Sequence, residues 1–245
     1  MGGNAAPALD PAQQALEISN LDAWYGETRV LWGVSLSVRP GEMVTLMGRN
    51  GAGRTSTLRA VMGLTDRRSG SIKVNGRESI DLPSHRIAHL GIGYCPEERG
   101  IFATLSAHEN LMLLPTISPS QGMSVDELYA MFPNLRERRN SQGTRLSGGE
   151  QQMLAVARIL RTGARVLLLD EISEGLAPVI VQALARTIRT LKAKGYTILM
   201  VEQNFRFTAR LTDRFYVMEH GRISMEFPAS ELRQNMPALN KALGV

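Results

Sequence analysis

The chain has 245 residues, of which 43% are hydrophobic and 21% are charged, proportions that suit one large globular domain rather than a disordered or fibrous chain. The formal net charge of +5 permits an acidic partner, but the sequence has no basic tract with interleaved aromatic residues, so we expect no binding to nucleic acid. Cys95 is the only cysteine, which excludes an internal disulfide, and no apolar stretch approaches the roughly 18 residues that would span a bilayer.

The N-terminal segment is rich in alanine and proline and has no regular hydrophobic pattern. We expect residues 1–14 to form a flexible tail, without the basic and apolar regions of a secretory signal. We expect residues 15–245 to form one domain with two lobes, since no internal repeat or low-complexity segment divides them.

The first third of that domain has mainly the patterns of strands. Alternating apolar and polar residues at 16–23 and 34–38 predict half-buried antiparallel strands, and residues 71–76 predict another strand that ends in an Asn-Gly turn. The apolar run at 43–47 and the short segment 91–95 predict buried strands.

The middle third, at about residues 100–161, has the pattern of a helical insertion. Ser106, Ser124 and Ser147 each precede a helical pattern and are suited to cap it. A glutamate follows three residues after each of the first two serines, as in a capping box.

Alternation of strands and helices resumes after this insertion. Val166–Asp170 and residues 196–201 are continuous apolar runs, typical of parallel strands buried on both faces, and residues 179–194 predict a helix between them. Residues 215–223 predict a hairpin, and a short helix is expected near residues 229–235. The order of elements predicts an α/β fold.

A phosphate-binding loop is indicated by residues 48–55, which read Gly-Arg-Asn-Gly-Ala-Gly-Arg-Thr. Gly48, Gly53 and Thr55 satisfy the pattern Gly-x-x-x-x-Gly-Lys-[Ser/Thr], whereas Arg54 stands in the position of the lysine. An apolar strand precedes the loop and a helical pattern follows it. In that context backbone N–H groups and the positive end of a helix bind phosphates, so the loop predicts a nucleoside triphosphate site.

Two acids, Asp170 and Glu171, come directly after another apolar strand. There the carboxylate of Asp170 can hold Mg²⁺, and Glu171 can polarise the water that attacks a γ-phosphate. Acids are common at strand ends, so this motif is weak alone and gains its meaning from the phosphate loop upstream.

Residues 146–150 read Leu-Ser-Gly-Gly-Glu and place two glycines after the serine that is expected to cap a helix. This arrangement lets an anion approach the backbone closely, although a plain glycine-rich turn has the same composition. Its place between the phosphate loop and the Asp-Glu strand favours the anion-binding interpretation.

In this order, the phosphate loop, the helical insertion, the Leu-Ser-Gly-Gly-Glu segment and the Asp-Glu strand resemble the ATP-binding cassette (ABC) family over nearly the whole chain after the tail. The resemblance implies a P-loop NTPase cassette with a RecA-like core, an antiparallel β subdomain and a helical signature subdomain at about residues 100–161. It implies hydrolysis of ATP with Mg²⁺, and a head-to-tail dimer in which the signature of one cassette closes over the ATP of the other.

The functional residues of the family carry over by position. Glu171 resembles the catalytic base, and Gln203 stands where a histidine normally contacts the γ-phosphate. Tyr25 resembles the aromatic residue that stacks on adenine, although an aromatic residue of the core at a strand end would have the same sequence pattern. The predicted ATP-binding residues are Tyr25, Val30, Gly48, Arg49, Asn50, Gly51, Ala52, Gly53, Arg54, Thr55 and Ser56. The predicted metal-site residues are Thr55, Glu97 and Asp170, and the predicted signature residues, which act on the ATP of a partner, are Ser147, Gly148, Gly149 and Glu150.

Finer details resemble one branch of the family. Residues 94–102, 174–178 and 201–204 are similar to the second ATP-binding subunit of importers for branched-chain amino acids, and to the related amide and urea importers. Glu97, in place of the usual glutamine, and Gln203, in place of the usual histidine, are typical of this branch and support the assignment.

Two further residues depart from the family pattern and are not typical of the branch. Ile172 stands where proline is usual, and we expect only modest loosening because isoleucine can adopt the same extended backbone. Arg54 keeps the charge of lysine, but its planar fork needs more room, and a displacement of about 1 Å in a reacting group can cost ~10²-fold in rate. We therefore expect nucleotide binding to persist and hydrolysis at this site to be strongly reduced, unless the loop adapts to arginine.

Three functions are compatible with these patterns to different degrees. The leading hypothesis is the ATP-hydrolysing subunit of an importer for branched-chain amino acids or related amino acids and amides. The alternative is a nucleotide-binding cassette, impaired in hydrolysis by Arg54, that completes the ATPase site of a partner through Ser147. A cassette that acts on DNA or ribosomes is disfavoured, because this sequence has no second cassette, coiled coil or basic tract.

The resemblance also implies partners. These are a second ABC ATPase subunit, in a heterodimer or a homodimer, two membrane permease subunits, and a periplasmic or extracellular substrate-binding protein. Glu97 lies in the segment that joins the two lobes, where family members couple to the membrane subunit. We therefore expect a peripheral protein on the cytoplasmic face of the inner (cell) membrane.

Overall fold

In the computed structural model, which describes residues 14–117 and 122–244, one lobe is built on a four-stranded antiparallel sheet. Its strands are β1 (Leu16–Tyr25), β2 (Thr28–Val38), β4 (Arg67–Val74) and β5 (Arg77–Glu78), in the order β2-β1-β4-β5. The antiparallel strands predicted from the alternating patterns are confirmed. The predicted flexible tail, apart from Gln14, lies outside the described residues.

A six-stranded sheet forms the centre of the other lobe. Its strands are β3 (Met43–Gly48), β6 (Ile92–Cys95), β7 (Val166–Asp170), β8 (Thr197–Val201), β9 (Arg214–Glu219) and β10 (Arg222–Pro228), in the order β10-β9-β3-β8-β7-β6. All neighbours are parallel except β9 and β10, which form the predicted hairpin. Because β3 and β7 flank β8, the segments that leave the carboxyl ends of these three strands meet at one edge of the sheet.

Nine α-helices occur in the described part of the chain. They are α1 (Arg54–Val61), α2 (Ser84–Ala88), α3 (Ala107–Leu113), α4 (Val125–Met131), α5 (Pro133–Glu137), α6 (Gly148–Thr162), α7 (Pro178–Ala193), α8 (Phe205–Thr208) and α9 (Leu232–Leu243). The side chains of Ser106, Ser124 and Ser147 each accept a hydrogen bond from the backbone N–H of the glutamate three residues later. The backbone N–H of each serine donates in return to the side chain of that glutamate. All three predicted caps are therefore confirmed, and each is a complete capping box.

Two hydrophobic cores lie on opposite faces of the six-stranded sheet. Alternate residues of β7 point into the two cores. Leu167 and Leu169 face the core that contains α3, α4, α6 and α7. Val166 and Leu168 face the core shared with α1 and the four-stranded sheet. Strands buried on both faces account for the continuous apolar runs seen in the sequence. The sheet thus holds the helical segment on one side and the antiparallel lobe on the other.

The C-terminal helix is longer than the sequence predicts. The expectation of a short helix near residues 229–235 is therefore wrong about where the helix begins and ends. A 3₁₀ turn, Ala229–Glu231, leads into α9, which continues to Leu243 with Pro237 inside it. A proline normally ends or kinks a helix because it removes one backbone hydrogen bond. Here Leu239 and Ala242 pack against the core around Phe215, and this burial offsets the loss.

Candidate nucleotide site

The predicted phosphate loop connects β3 to α1 and is packed tightly at two glycines. A Cβ atom on Gly48 would lie 2.5 Å from the carbonyl oxygen of Met218, and one on Gly53 would lie 3.0 Å from Leu31. Gly53 also has φ +106°, a backbone conformation that other residues rarely adopt. Both glycines are therefore required by the shape of the loop.

The loop ends in a helix N-terminus that presents free N–H groups. α1 begins at Arg54, and its first intrahelical hydrogen bond runs from the N–H of Thr57 to the carbonyl oxygen of Gly53, at 2.9 Å. The N–H groups of Arg54, Thr55 and Ser56 consequently have no partner within the helix. Together with the positive end of the helix dipole, they fit a phosphate group.

Thr55 and Asp170 meet at the base of the loop. The hydroxyl of Thr55 donates to Oδ1 of Asp170 at 3.0 Å, and the hydroxyl of Tyr94, from β6, donates to Oδ2 at 2.9 Å. Burial raises the pKa of Asp170 to about 6, an effect that these two hydrogen bonds oppose and the nearby carboxylates reinforce. A hydroxyl beside a carboxylate is the oxygen donor set that Mg²⁺ prefers, so Thr55 and Asp170 fit the predicted metal.

Arg54 pairs with Glu171 in the wall of the site. Its Nη2 donates to Oε1 of Glu171 at 2.7 Å and to Oδ1 of Asn50 at 3.2 Å. The side chains of Arg54 and Glu171 are only 4% and 9% exposed. The residue that replaces the loop lysine thus contacts the predicted catalytic base.

Gln203 closes this contact into a ring of hydrogen bonds. Its amide Nε2 donates to Asn50 and to both carboxylate oxygens of Glu171, at 3.3 Å each for the latter. We call the four residues Asn50, Arg54, Glu171 and Gln203 the Arg54 ring. The Arg54 ring joins the segments that follow β3, β7 and β8. Within it, the backbone of Glu171 has φ +46°, a strained conformation of the kind that concentrates at functional sites.

Carboxylates gather next to the ring. One oxygen from each of Glu97, Glu171 and Glu174 lies within 4.8 Å of the others, and such a set could hold a cation. A hydrogen bond to Glu171 raises the pKa of Glu174 to about 7, with burial and the neighbouring charges adding to the shift. The structure therefore places Glu97 beside Glu171 and Glu174, and leaves Thr55 and Asp170 as a separate bonded pair.

The loop and the ring line a cavity of about 630 Å³, a size that suits a small ligand. Val30 and residues 50–56 of the predicted ATP-binding set line it, together with Glu97, Glu171 and Gln203. Tyr25, Gly48 and Arg49 are not among its lining residues in the described part of the chain. The ring of Tyr25 lies instead 5.8 Å from the guanidinium of Arg59 on α1.

Several lining residues were not predicted from the sequence. Arg29 and Trp32 of β2 line the cavity, with the Arg29 guanidinium 4.0 Å from the indole centroid, and His220 lines it from the β9–β10 turn. Their sequence signal is weak, because a polar or aromatic residue on an edge strand is ordinary. Tyr94 carries a better signal, since it precedes the end of β6, the strand paired with the one that ends in Asp170.

The predicted signature residues lie at the N-terminus of α6, and in the described part of the chain none of them lines the cavity. Ser147 is the cap and is exposed, while Gly149 is buried against α7, where a Cβ would lie 2.8 Å from Ile180. The loop cavity of one chain is thus built without the signature residues, which fits the head-to-tail dimer that the resemblance implies.

These features define a P-loop nucleotide-binding cassette: a phosphate loop that leads into a helix N-terminus, and an Asp-Glu strand end, in an α/β fold. The family model of ABC transporters matches residues 31–174, which include the loop, the signature and the Asp-Glu strand. The chain belongs to the ABC transporter family of ATPases, as an ATP-binding subunit. Within the described residues, no helix is both long enough and apolar enough to cross a membrane.

Two relatives illustrate the range of similar proteins. The chain is 39% identical over 231 residues to the high-affinity branched-chain amino acid transport ATP-binding protein BraG of Pseudomonas aeruginosa, covering 94% of this chain and 99% of BraG. It is 37% identical over 213 residues to the lipopolysaccharide export system ATP-binding protein LptB of Haemophilus influenzae, covering 85% of this chain and 88% of LptB.

Solved structures show the same fold. The structure of an ATP-binding subunit of an ABC transporter matches with TM-score 0.76 and 28% identity, covering 91% of this chain and 93% of that one. A dimeric cassette bound to ADP and phosphate after hydrolysis matches with TM-score 0.77 and 22% identity, covering 87% and 98%. The α/β cassette fold expected from the sequence is confirmed.

Proposed function

We propose that this chain is the ATP-hydrolysing subunit of an importer for branched-chain amino acids or related amino acids and amides. The observation that carries the substrate class is the 39% identity to BraG, which extends over 94% of this chain and 99% of that relative. The export protein LptB is also similar, but over a smaller share of both chains. The branch details at residues 94–102, 174–178 and 201–204 support the importer.

The nucleotide would be held by the loop and by the start of α1. Free N–H groups of Arg54, Thr55 and Ser56 can donate to phosphate oxygens. Thr55 and Asp170 would hold Mg²⁺, whose chemistry when bound is to neutralise charge on the phosphate oxygens. Tyr25 is proposed to stack on the adenine beyond the phosphate cavity, near α1.

Glu171 and Gln203 are the groups suited to direct the attacking water. A carboxylate at the Glu171 position can take a proton from that water, and the Gln203 amide, already bonded to both oxygens of Glu171, can orient it. The amide cannot donate as a protonated imidazole would. Before it can act as a base, Glu171 has to be freed from Arg54.

The remaining parts of the machine would come from partners. Ser147 and Gly149 are proposed to close over the ATP of a second ABC ATPase subunit, in a heterodimer or a homodimer, and Glu97 to couple this closure to two permease subunits. A periplasmic or extracellular binding protein would deliver the substrate. The chain would then sit on the cytoplasmic face of the inner membrane as a peripheral protein.

Uptake by the cell that makes this chain tests the substrate class. We expect loss of the chain to abolish high-affinity uptake of radiolabelled leucine, isoleucine and valine, and the intact chain to restore it. Asp170→Asn, which removes one metal-binding charge, should fail to restore uptake. Unchanged uptake of all three amino acids without the chain would contradict branched-chain amino acids as its substrates and leave the related amino acids and amides to be tested in the same way.

A second candidate function is favoured by the contact between Arg54 and Glu171, at 2.7 Å, which occupies the proposed base. In this case the chain binds nucleotide without turning it over and serves its partner through Ser147. Disabling Arg54 and Ser147 separately distinguishes the two functions. If only Ser147→Ala lowers transport, the chain is a helper; if Arg54→Ala also lowers it, the chain's own site contributes.

Ser147→Ala also removes a helix cap, so it needs a matched control. Ser124 has the same capping box at the start of α4 but lies outside the signature. Ser124→Ala should lower the free energy of unfolding by about as much as Ser147→Ala does, about 1 kcal/mol, and leave transport intact. A loss of transport in both variants would show that cap stability, and not the signature, is responsible.

A further inference from the structure

The Arg54 ring is a closed arrangement in the wall of the nucleotide cavity, in which Asn50 and Gln203 are exposed while the side chains of the charged pair are largely shielded from solvent. Arg54 binds Glu171 and Asn50 from one side, while Gln203 binds the same two residues from the other. Arg54 and Glu171 are 4% and 9% exposed, so water competes little for either charge. A charge pair in such a setting is held strongly once it has formed, because separating it leaves both charges buried without a partner.

The other arm of the guanidinium has no partner. Among the described residues, Nη1 of Arg54 is buried and finds no hydrogen-bond acceptor. A buried unsatisfied donor is costly and marks a place where an acceptor is missing. Since Nη1 is buried as it stands, the guanidinium has to leave Glu171 before it can reach a phosphate in the cavity.

We propose that Arg54 is a latch shared between Glu171 and the phosphates of the nucleotide, so that nucleotide binding has to break the Arg54–Glu171 pair and thereby frees the carboxylate. The inference rests on the proposed function, since it requires a nucleoside polyphosphate in this cavity. A planar guanidinium prefers two acceptors, and a polyphosphate supplies more charge and more oxygens than one carboxylate. Without nucleotide, the latch therefore keeps Glu171 from acting as a base. Nucleotide binding is weaker by the free energy needed to break the Arg54–Glu171 pair.

Calorimetric titration with ADP, in the absence of hydrolysis, measures this weakening directly. Glu171→Gln removes the charge that holds Arg54, and we expect it to tighten ADP binding about tenfold, the size of one charge-assisted hydrogen bond. In an Arg54→Met background the same change should alter the dissociation constant by less than about twofold, because no latch remains.

Glu174→Gln is the matched control for charge repulsion. Glu174 lines the same cavity and carries the same kind of group, but it makes no hydrogen bond to Arg54 among the described residues. We expect it to change ADP binding equally in the unchanged chain and in the Arg54→Met background. Should Glu171→Gln fail to fold, Glu171→Asp keeps the charge but withdraws it by one methylene, and it too should tighten ADP binding only where Arg54 is present.

The outcomes separate the latch from the proposed function. Tightening that depends on Arg54 supports the latch. Equal effects of the Glu171 change in both backgrounds, or no effect while ADP still binds, overturn the latch and leave the ATP-binding function intact. A failure of the unchanged chain and of every variant to bind ADP overturns the proposed function, and the latch with it.

Discussion

The guanidinium of Arg54 donates to the carboxylate of Glu171 at 2.7 Å, and this contact joins the seventh position of the phosphate loop to the acid that follows β7. A lysine at this position would offer one compact ammonium group on a flexible stem, whereas the arginine fork reaches further and binds a carboxylate well. The substitution thus links two residues that have separate tasks in the proposed reaction.

Stacking on the adenine ring is proposed for Tyr25, and Trp32 is the aromatic residue against which the proposal is tested. Tyr25 lies near Arg59 outside the phosphate cavity, and Trp32 lies in its wall. Base stacking contributes about 1–3 kcal/mol, so we expect Tyr25→Ala to weaken ATP binding about tenfold and to leave inorganic tripolyphosphate binding unchanged. Trp32→Ala is the comparison variant. If it weakens ATP binding and Tyr25→Ala does not, Trp32 is the stacking residue.

Gly149 sets how closely the signature helix α6 approaches α7. A Cβ at this position would lie 2.8 to 3.0 Å from three side-chain atoms of Ile180, so either the helices move apart or Ile180 is displaced. We expect Gly149→Ala to lower the free energy of unfolding by about 1–3 kcal/mol in chemical denaturation.

The neighbouring glycine provides the control for this change. A Cβ on Gly148 would lie 3.4 Å from the end of the flexible Arg99 side chain, an ordinary contact. Gly148→Ala should therefore leave the free energy of unfolding within about 0.5 kcal/mol. Equal losses in the two variants would show that α6 responds to any added methyl group, and not to the contact with Ile180.

Glu202 is expected to make the protein less stable as the pH rises. Burial raises the pKa of Glu202 from 4.5 to about 7, although the N–H and hydroxyl of Ser173 bond to it and oppose the shift. Between these two values the folded chain keeps a proton that the unfolded chain releases, so stability present below pH 4.5 is lost as the pH rises through 7. Asp170 acts in the same direction at lower pH, with a pKa of about 6.

Replacing this carboxyl group should remove much of the pH dependence. Glu202→Gln has no charge to bury, and we expect it to raise the free energy of unfolding at pH 8 by on the order of 2–3 kcal/mol, with little change at pH 4. Glu219→Gln, at the exposed end of β9, is the control and should change stability by less than about 0.5 kcal/mol. A Glu202→Gln protein with the same pH profile as the unchanged chain would refute the assignment.

Local signals predicted most of the fold. Ser106 and Ser124 are predictable as caps because a capping box lies within four residues, Ser147 because it precedes a long helical pattern, and the buried strands because their apolar runs are continuous. The full length of α9 could not be found in this way, since Pro237 is a local stop signal and only the packing of Leu239 and Ala242 overrides it.

Motifs predicted which residues form the site, but not how they are bonded. The loop, Asp170 and Glu171 were identified by pattern, and the structure brings them to one edge of the sheet because β3 and β7 flank β8. The contact between Arg54 and Glu171 spans 117 positions and depends on the direction in which the arginine turns. No sequence pattern specifies that direction.

The most direct measurement compares the rates of ATP hydrolysis of the unchanged chain and of Arg54→Lys, each assembled with its partner cassette. Lysine retains the positive charge and fits the loop pattern as a compact group that displaces the phosphates less than the wider arginine fork does, so we expect a faster rate by up to about 10²-fold. Equal rates in the two proteins would contradict the claim that Arg54 restrains this site.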